Sequence, residues 1–207
     1  MRAPLAVLST AALLALTGCE IYPAPPSGDP GAATGNATLD DLTVARAASM
    51  RGYSRDHFPH WRDTGDNCDI RDSVLTRDGQ KVRHRGCNVT GGTFYSVYDG
   101  KTVYKPADVD IDHMVPLANA WRSGAAKWTE AKRGEFANDL DTPQLVVATQ
   151  ATNRSKGDQD PSQWKPPRRE SWCSYARDWI AVKAHWKLTV TTAEKMALAD
   201  MLETCAS

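Results

Sequence analysis

Asp110-Ile111-Asp112-His113-Met114-Val115-Pro116-Leu117, followed later by Asn153-Arg154-Ser155-Lys156-Gly157-Asp158, are the stretches on which the reading of this chain turns. Val109 to Ile111 reads as a strand, and the apolar run Leu145-Val146-Val147-Ala148 as a second strand just ahead of Asn153. Successive residues of a regular strand face opposite sides, so Asp112 and His113 can address one point only where the strand ends or bends. Pro116 makes such an ending plausible. Two carboxylates, an imidazole and an amide oxygen are the hard ligands and base that metal-assisted hydrolysis needs. Lys156 falls three residues after Asn153 and therefore shares its helical face, where a contact to a substrate anion and a solvated surface lysine are both open readings.

Outward from this centre the chain alternates β and helical signals. Between Cys68 and Cys87, Ser73-Val74-Leu75-Thr76, Arg77-Asp78-Gly79 and Gln80-Lys81-Val82-Arg83 read as a hairpin with Asp-Gly at its turn, which a Cys68–Cys87 disulfide would staple. Thr93 to Val97 and Thr102 to Tyr104 continue the β character around Asp99-Gly100. Thr38 with Asp41 is a capping signal for a helix running toward Met50. Near the C-terminus, Trp172, Tyr175, Trp179, Val182 and Trp186 recur at helical spacing, and Thr191 with Glu194 opens a second helix toward Leu202. Such a helical hairpin brings Cys173 close to Cys205, and its tryptophans read as core rather than as a stacking platform.

The 207 residues carry 25 Lys+Arg and 25 Asp+Glu, so no global field attracts a polyanion and any such attraction must come from local clusters. The obvious clusters are Lys81-Val82-Arg83-His84-Arg85 and Lys165-Pro166-Pro167-Arg168-Arg169. Arg2, the apolar run Ala3 to Leu16 and Leu16-Thr17-Gly18-Cys19 form an export signal over residues 1–18, with Cys19 as a lipobox cysteine or the segment as an ordinary cleaved signal. Residues 19–37, rich in Pro, Gly and Ala, read as a flexible tether, and 38–207 as one domain. Four cysteines besides Cys19 suit two disulfides in an oxidising compartment, and none has zinc-finger spacing. No internal repeat and, beyond the signal, no membrane-spanning stretch is evident.

Taken together, Asp-x-Asp-His-x-x-Pro-Leu, a strand and Asn-Arg-x-Lys-Gly-Asp resemble the HNH, or His-Me finger, nucleases, and most closely a group of secreted bacterial members. Tyr53-Ser54-Arg55-Asp56-His57-Phe58 with Trp61, Cys68-Asp69-Ile70-Arg71, the run from Trp121, Phe136-Ala137-Asn138-Asp139 and Asp160-Pro161 with Trp164 extend the likeness over most of the mature chain. The resemblance implies an α+β fold with a ββα-metal core, an N-terminal β-hairpin region and a C-terminal helical hairpin, stapled by disulfides. It implies His113 as general base and Asp112 with Asn153 as ligands of Mg²⁺ or Mn²⁺. The family often places an Asn ahead of the second strand to fix the loop bearing the base; here Gln144 stands there, with Asn138 as the alternative. Asp110 either orients the histidine or a metal-bound water, or merely ends a strand. Lys156, Arg154, Lys81, Arg83 and Lys165 are candidates for contact with nucleic-acid phosphates. The implied function is an extracytoplasmic, monomeric endonuclease of low specificity acting on DNA or RNA, secreted or held at the bacterial membrane by a lipid on Cys19. The competing reading is a surface-anchored protein that binds nucleic acid or a cell-wall polymer without cutting it.

Overall fold

The apolar side chains of Val109, Ile111, Leu145 and Val147 recur at every second position, and in the computed structural model they build an antiparallel ribbon of β6 (Val109–His113) and β7 (Leu145–Thr149). Its register pairs Asp110 with Ala148, Asp112 with Val146 and His113 with Leu145. Residues 37–205 are described; the signal stretch, Cys19 and the tether up to residue 36 lie outside the described residues. Ahead of the ribbon come β1 (Asp63–Gly65), β2 (Cys68–Asp69), α1 (Ile70–Asp78), β3 (Gln80–Arg85), β4 (Asn88–Ser96) and β5 (Lys101–Val103). Between its strands lie α2 (Leu117–Arg122) and α3 (Glu130–Ala137); after it come α4 (Gln150–Lys156), α5 (Trp172–His185) and α6 (Thr192–Leu202). The fold is thus mixed α and β, with three small antiparallel sheets ordered β1-β2, β3-β4-β5 and β6-β7.

Two hydrophobic clusters hold it together. On one side of the ribbon Val109, Ile111, Leu145 and Val147 meet Ile70, Val74 and Leu75 of α1 and Phe94 of β4. The larger cluster gathers Met114, Val115, Leu117, Ala148 and Tyr98 with Tyr175, Trp179 and Ile180 of α5 and Leu198 and Met201 of α6. Burying each large apolar side chain contributes roughly 1.5–3 kcal/mol, so the ribbon is fixed from both flanks. Among the described residues no helix is long and apolar enough to cross a membrane.

The C-terminal helical hairpin is present, with Tyr175, Trp179 and Val182 buried and Trp172 and Trp186 packed against the same core. Thr191 and Glu194 form the capping box, the Glu194 amide donating to Thr191 Oγ1 at 3.1 Å. Cys173–Cys205 and Cys68–Cys87 are both disulfides, with Cα separations of 4.9 and 5.9 Å.

Two local expectations need correction. Ser73 to Thr76 is not the first arm of a hairpin but part of α1, because Asp69 caps that helix by accepting from the Asp72 amide and Ile70, Val74 and Leu75 fall on one buried face. The Asp78-Gly79 dipeptide is its stop signal: a Cβ on Gly79 would lie 2.6 Å from both the Leu75 carbonyl and the Val82 side chain. The hairpin arms are instead β3 and β4, turning at Gly86 with φ +62°. Nor does a helix run from Thr38 to Met50. Asp41 does accept from the Thr38 amide at 2.7 Å, but a single 3-10 turn, Leu39–Asp41, follows. Beyond it the backbone is drawn into tertiary pairing, with the Ala45 amide on Val190 O and the Ala48 amide on Arg122 O.

Candidate active site

Asp110 and Asp112 lie two residues apart on β6 and so share one strand face, over which α4 passes. Asn153 and Lys156, three apart on α4, share the helix face that meets them. Asn153 Nδ2 donates to Asp110 Oδ2 at 3.0 Å, and Lys156 Nζ stands 2.7 Å from Asp112 Oδ2 while donating to the His113 carbonyl at 2.8 Å. Tyr98, two residues beyond the end of β4, adds a hydroxyl donated to the same Asp112 Oδ2 at 2.9 Å. Burial pushes the Asp112 carboxyl up, with Lys156 and Tyr98 pulling it back, and pushes the Lys156 ammonium down. Both bonds to Asp112 fall on Oδ2 and the Asn153 bond uses Nδ2, so Oδ1 of each residue lies outside these contacts.

His113 is 5 % exposed, and its Nε2 lies 3.0 Å from the Ala137 carbonyl. A carbonyl can only accept, so Nε2 carries the proton and Nδ1 holds the lone pair. Desolvation, joined by the positive charges of Arg55 and Lys156, lowers its pKa to about 3 against the support of the Ala137 carbonyl. The imidazole of free protein is therefore neutral across the physiological range. Trp61 and His60 wall the ring at centroid distances of 5.8 and 6.2 Å.

The two candidates for the loop anchor do different jobs. Gln144 Oε1 accepts from the Val115 amide at 3.1 Å, its Nε2 donates to the Val115 carbonyl at 2.9 Å, and its own carbonyl accepts from Met114 at 2.7 Å. It thereby clamps the chain directly after His113. Asn138 instead accepts from the Arg62 amide at 2.9 Å and donates to the Pro59 carbonyl at 2.7 Å, tying down the segment that carries His60 and Trp61.

Asp112, His113 and Asn153 line one cleft of about 290 Å³, together with Tyr53, Arg55, Ile111, Pro116, Gly157 and Asp158 among others. Lys156 does not reach substrate-accessible surface: it is 0 % exposed, because α4 turns that face onto the carboxylates rather than outward. Arg154 is exposed on α4 outside the cleft lining. Lys81 and Arg83 are exposed on β3, and Lys165 pairs with Asp200 while lying 4.6 Å from the centroid of Trp172; none of the three lines the cleft. Arg55, Tyr53 and Tyr98 escaped the reading of the sequence as site residues. The stretch from Tyr53 to Phe58 was the available signal, and only tertiary structure connects it to His113.

A hard divalent ion suits this donor set in kind: one carboxylate oxygen and one amide oxygen bordering the same cleft, with room for water to fill the other positions. Among the described residues no group of three or more His, Cys, Asp and Glu could hold a metal, so the protein's share would be these two oxygens. The Lys156 ammonium offsets part of the Asp112 charge, so a cation placed beside that carboxylate would meet a reduced field.

Residues 67–201 match the family model described as GmrSD restriction endonucleases, C-terminal domain. The chain belongs to this family. The GmrSD C-terminal stretch contains the ribbon, α4 and every residue from Asp110 to Lys156 discussed above, whereas Tyr53, Arg55 and His60 precede it. A relative from Arthroderma benhamiae, named only as an uncharacterized secreted protein, is 50 % identical over 202 residues, covering 97 % of this chain and 98 % of that protein. That source gives no support to a bacterial origin or to lipid attachment at Cys19. No solved structure matches. The family is nuclease-related, and the secreted relative agrees with an extracytoplasmic chain held by two disulfides.

Proposed function

We propose that this protein is an extracytoplasmic, metal-dependent endonuclease that hydrolyses phosphodiester bonds of DNA, with RNA as the other candidate substrate, at low sequence specificity. The observation that carries the reading is a neutral, tautomer-fixed histidine bordering the same cleft as one carboxylate and one amide oxygen. His113 Nδ1 takes a proton from the attacking water as its oxygen bonds to phosphorus and the bond to the leaving oxygen breaks. Asp112 and Asn153 would hold Mg²⁺ or Mn²⁺, which when bound would offset negative charge on the phosphate and the leaving oxygen. Gln144 keeps the backbone after His113 from drifting, and Lys156 with Tyr98 keeps the Asp112 carboxylate aimed. Low specificity is supported by the lack of a recognisable base-reading module in the sequence.

Incubation of the purified protein with plasmid, linear DNA and RNA, with Mg²⁺, Mn²⁺ or chelator, tests this. Metal-dependent cleavage that chelator abolishes is expected. Tight binding of nucleic acid with no cleavage under either metal would replace the proposal with a non-catalytic binding role.

A further inference from the structure

The cleft contains one cation that the reading above leaves unused. Arg55 is the only Lys or Arg among the described residues lining it, and it is exposed there. The two carboxylates on the same wall are engaged elsewhere: Asp112 by Lys156, and Asp158 by Arg122 at 3.2 Å. Among the described residues Arg55 has no carboxylate partner within 4.0 Å. Its one side-chain bond is to a neighbouring ring, Nε donating to His60 Nε2 at 3.4 Å.

That ring has a determined tautomer. His60 Nδ1 lies 2.8 Å from the Phe58 carbonyl and must carry the proton, so Nε2 is left as an acceptor facing Arg55. Asn138 in turn grips the Pro59 carbonyl and the Arg62 amide on either side of His60 and Trp61. The guanidinium is thus tethered through Nε, and both terminal amino groups lie outside that bond. A planar fork free of any carboxylate matches the two non-bridging oxygens of a phosphodiester. Arg55 is also near enough to His113 for its charge to act on that imidazole.

We propose that Arg55, oriented by His60, grips the phosphodiester anion in the Asp112–His113–Asn153 cleft. The assignment rests on the nuclease reading for its catalytic meaning, but anion binding can be measured without turnover. Arg55 precedes the stretch matched by the family model, so the contact is supplied by this chain's N-terminal segment.

Two measurements on the full exported chain test it. First, ¹⁵N-labelled protein in chelator is titrated with dimethyl phosphate while the arginine Nε–H resonances are followed, Arg55 being assigned with an Arg55→Lys variant. A saturable shift of the Arg55 resonance is expected, and it should vanish in Arg55→Ala. Second, cleavage kinetics are compared across variants whose folding is checked by circular dichroism. Arg55→Ala should lower kcat/KM about 10²–10³-fold, as loss of one preorganised transition-state donor does. Arg55→Lys should recover only part, because a point charge lacks the fork. His60→Gln, which keeps an acceptor, should stay within a few-fold of the parent, whereas His60→Leu should fall by about tenfold, the size of one weak orienting bond. An unshifted Arg55 resonance, or unchanged kcat and KM in Arg55→Ala, would overturn the proposal even if the parent protein cuts DNA. A shifted resonance in a parent that cuts nothing would uphold the anion site and sink the nuclease reading instead.

Discussion

Among the described residues two lysines are buried completely, each against a carboxylate, and the two pairs are finished differently. Lys183 of α5 stands 2.9 Å from Glu194 of α6 and also donates to Asn119 Oδ1, Ser123 Oγ and the Thr189 carbonyl. Glu194 further accepts from Trp179 Nε1 at 2.7 Å and from the Thr191 amide. Every polar atom of the pair is used, and a small void of about 20 Å³ beside Glu194 has room for roughly one water. Lys156 with Asp112 is the contrasting case: Lys156 and Tyr98 both meet the carboxylate at Oδ2, and Asp112 borders a cleft more than ten times larger. A saturated buried pair fixes how elements pack, while a half-saturated one at a cleft keeps bonding capacity in reserve for a ligand.

The sharpest break between the two regions concerns cleavage. His113→Ala should slow plasmid nicking by about 10²–10⁴-fold, the usual contribution of a positioned base, with the circular dichroism spectrum retained. Lys183→Met should leave the rate per folded molecule unchanged but cost about 3–5 kcal/mol in urea unfolding, because Glu194 is then buried without its partner. Lys156→Met should show a similar destabilisation and lose cleavage as well. Replacing both partners separates them further: Lys183→Met with Glu194→Leu should return most of the stability and keep cleavage, whereas Lys156→Met with Asp112→Leu should return stability and still not cut. If the second double variant cut normally, Asp112 would be as structural as Glu194.

Smaller effects refine the contrast. Gln144→Ala strands the amide and carbonyl of Val115 and should cost about 1–3 kcal/mol together with a partial loss of cleavage, read from urea midpoints and initial rates. Acid should act through His113. The folded protein keeps this ring neutral down to about pH 3, while the unfolded chain protonates it near its ordinary value of 6.5. Within that window the unfolded state binds the extra proton, so His113 contributes stability that is complete above 6.5 and lost as pH falls toward 3. Asp112, with its raised carboxyl, works in the opposite sense at the low end. Urea midpoints in chelator from pH 7 to 4 should therefore decline less steeply in His113→Gln than in the parent.

Legibility varied with the range of the interaction. Strand–strand–helix order around Asp112, the helical hairpin and both disulfides could be read because periodicity, capping pairs and cysteine count are local signals. The stretch Ser73 to Thr76 misled because Val and Thr suit strands, yet the Asp69 cap and one buried helical face outweighed that preference. Thr38 misled for the converse reason: its cap formed, but backbone pairing with Val190 took the following residues.

Chain order and residue type by themselves marked the candidate groups: a histidine after an aspartate at a strand end, and an amide on the helix that follows the next strand. Only the tertiary structure decided which of them face the cleft. It sent Lys156 inward onto Asp112 and carried Arg55 and His60, more than fifty residues before the histidine, to its side. The reason is physical: spacing along a chain specifies a face, whereas burial and charge pairing depend on what is packed against that face.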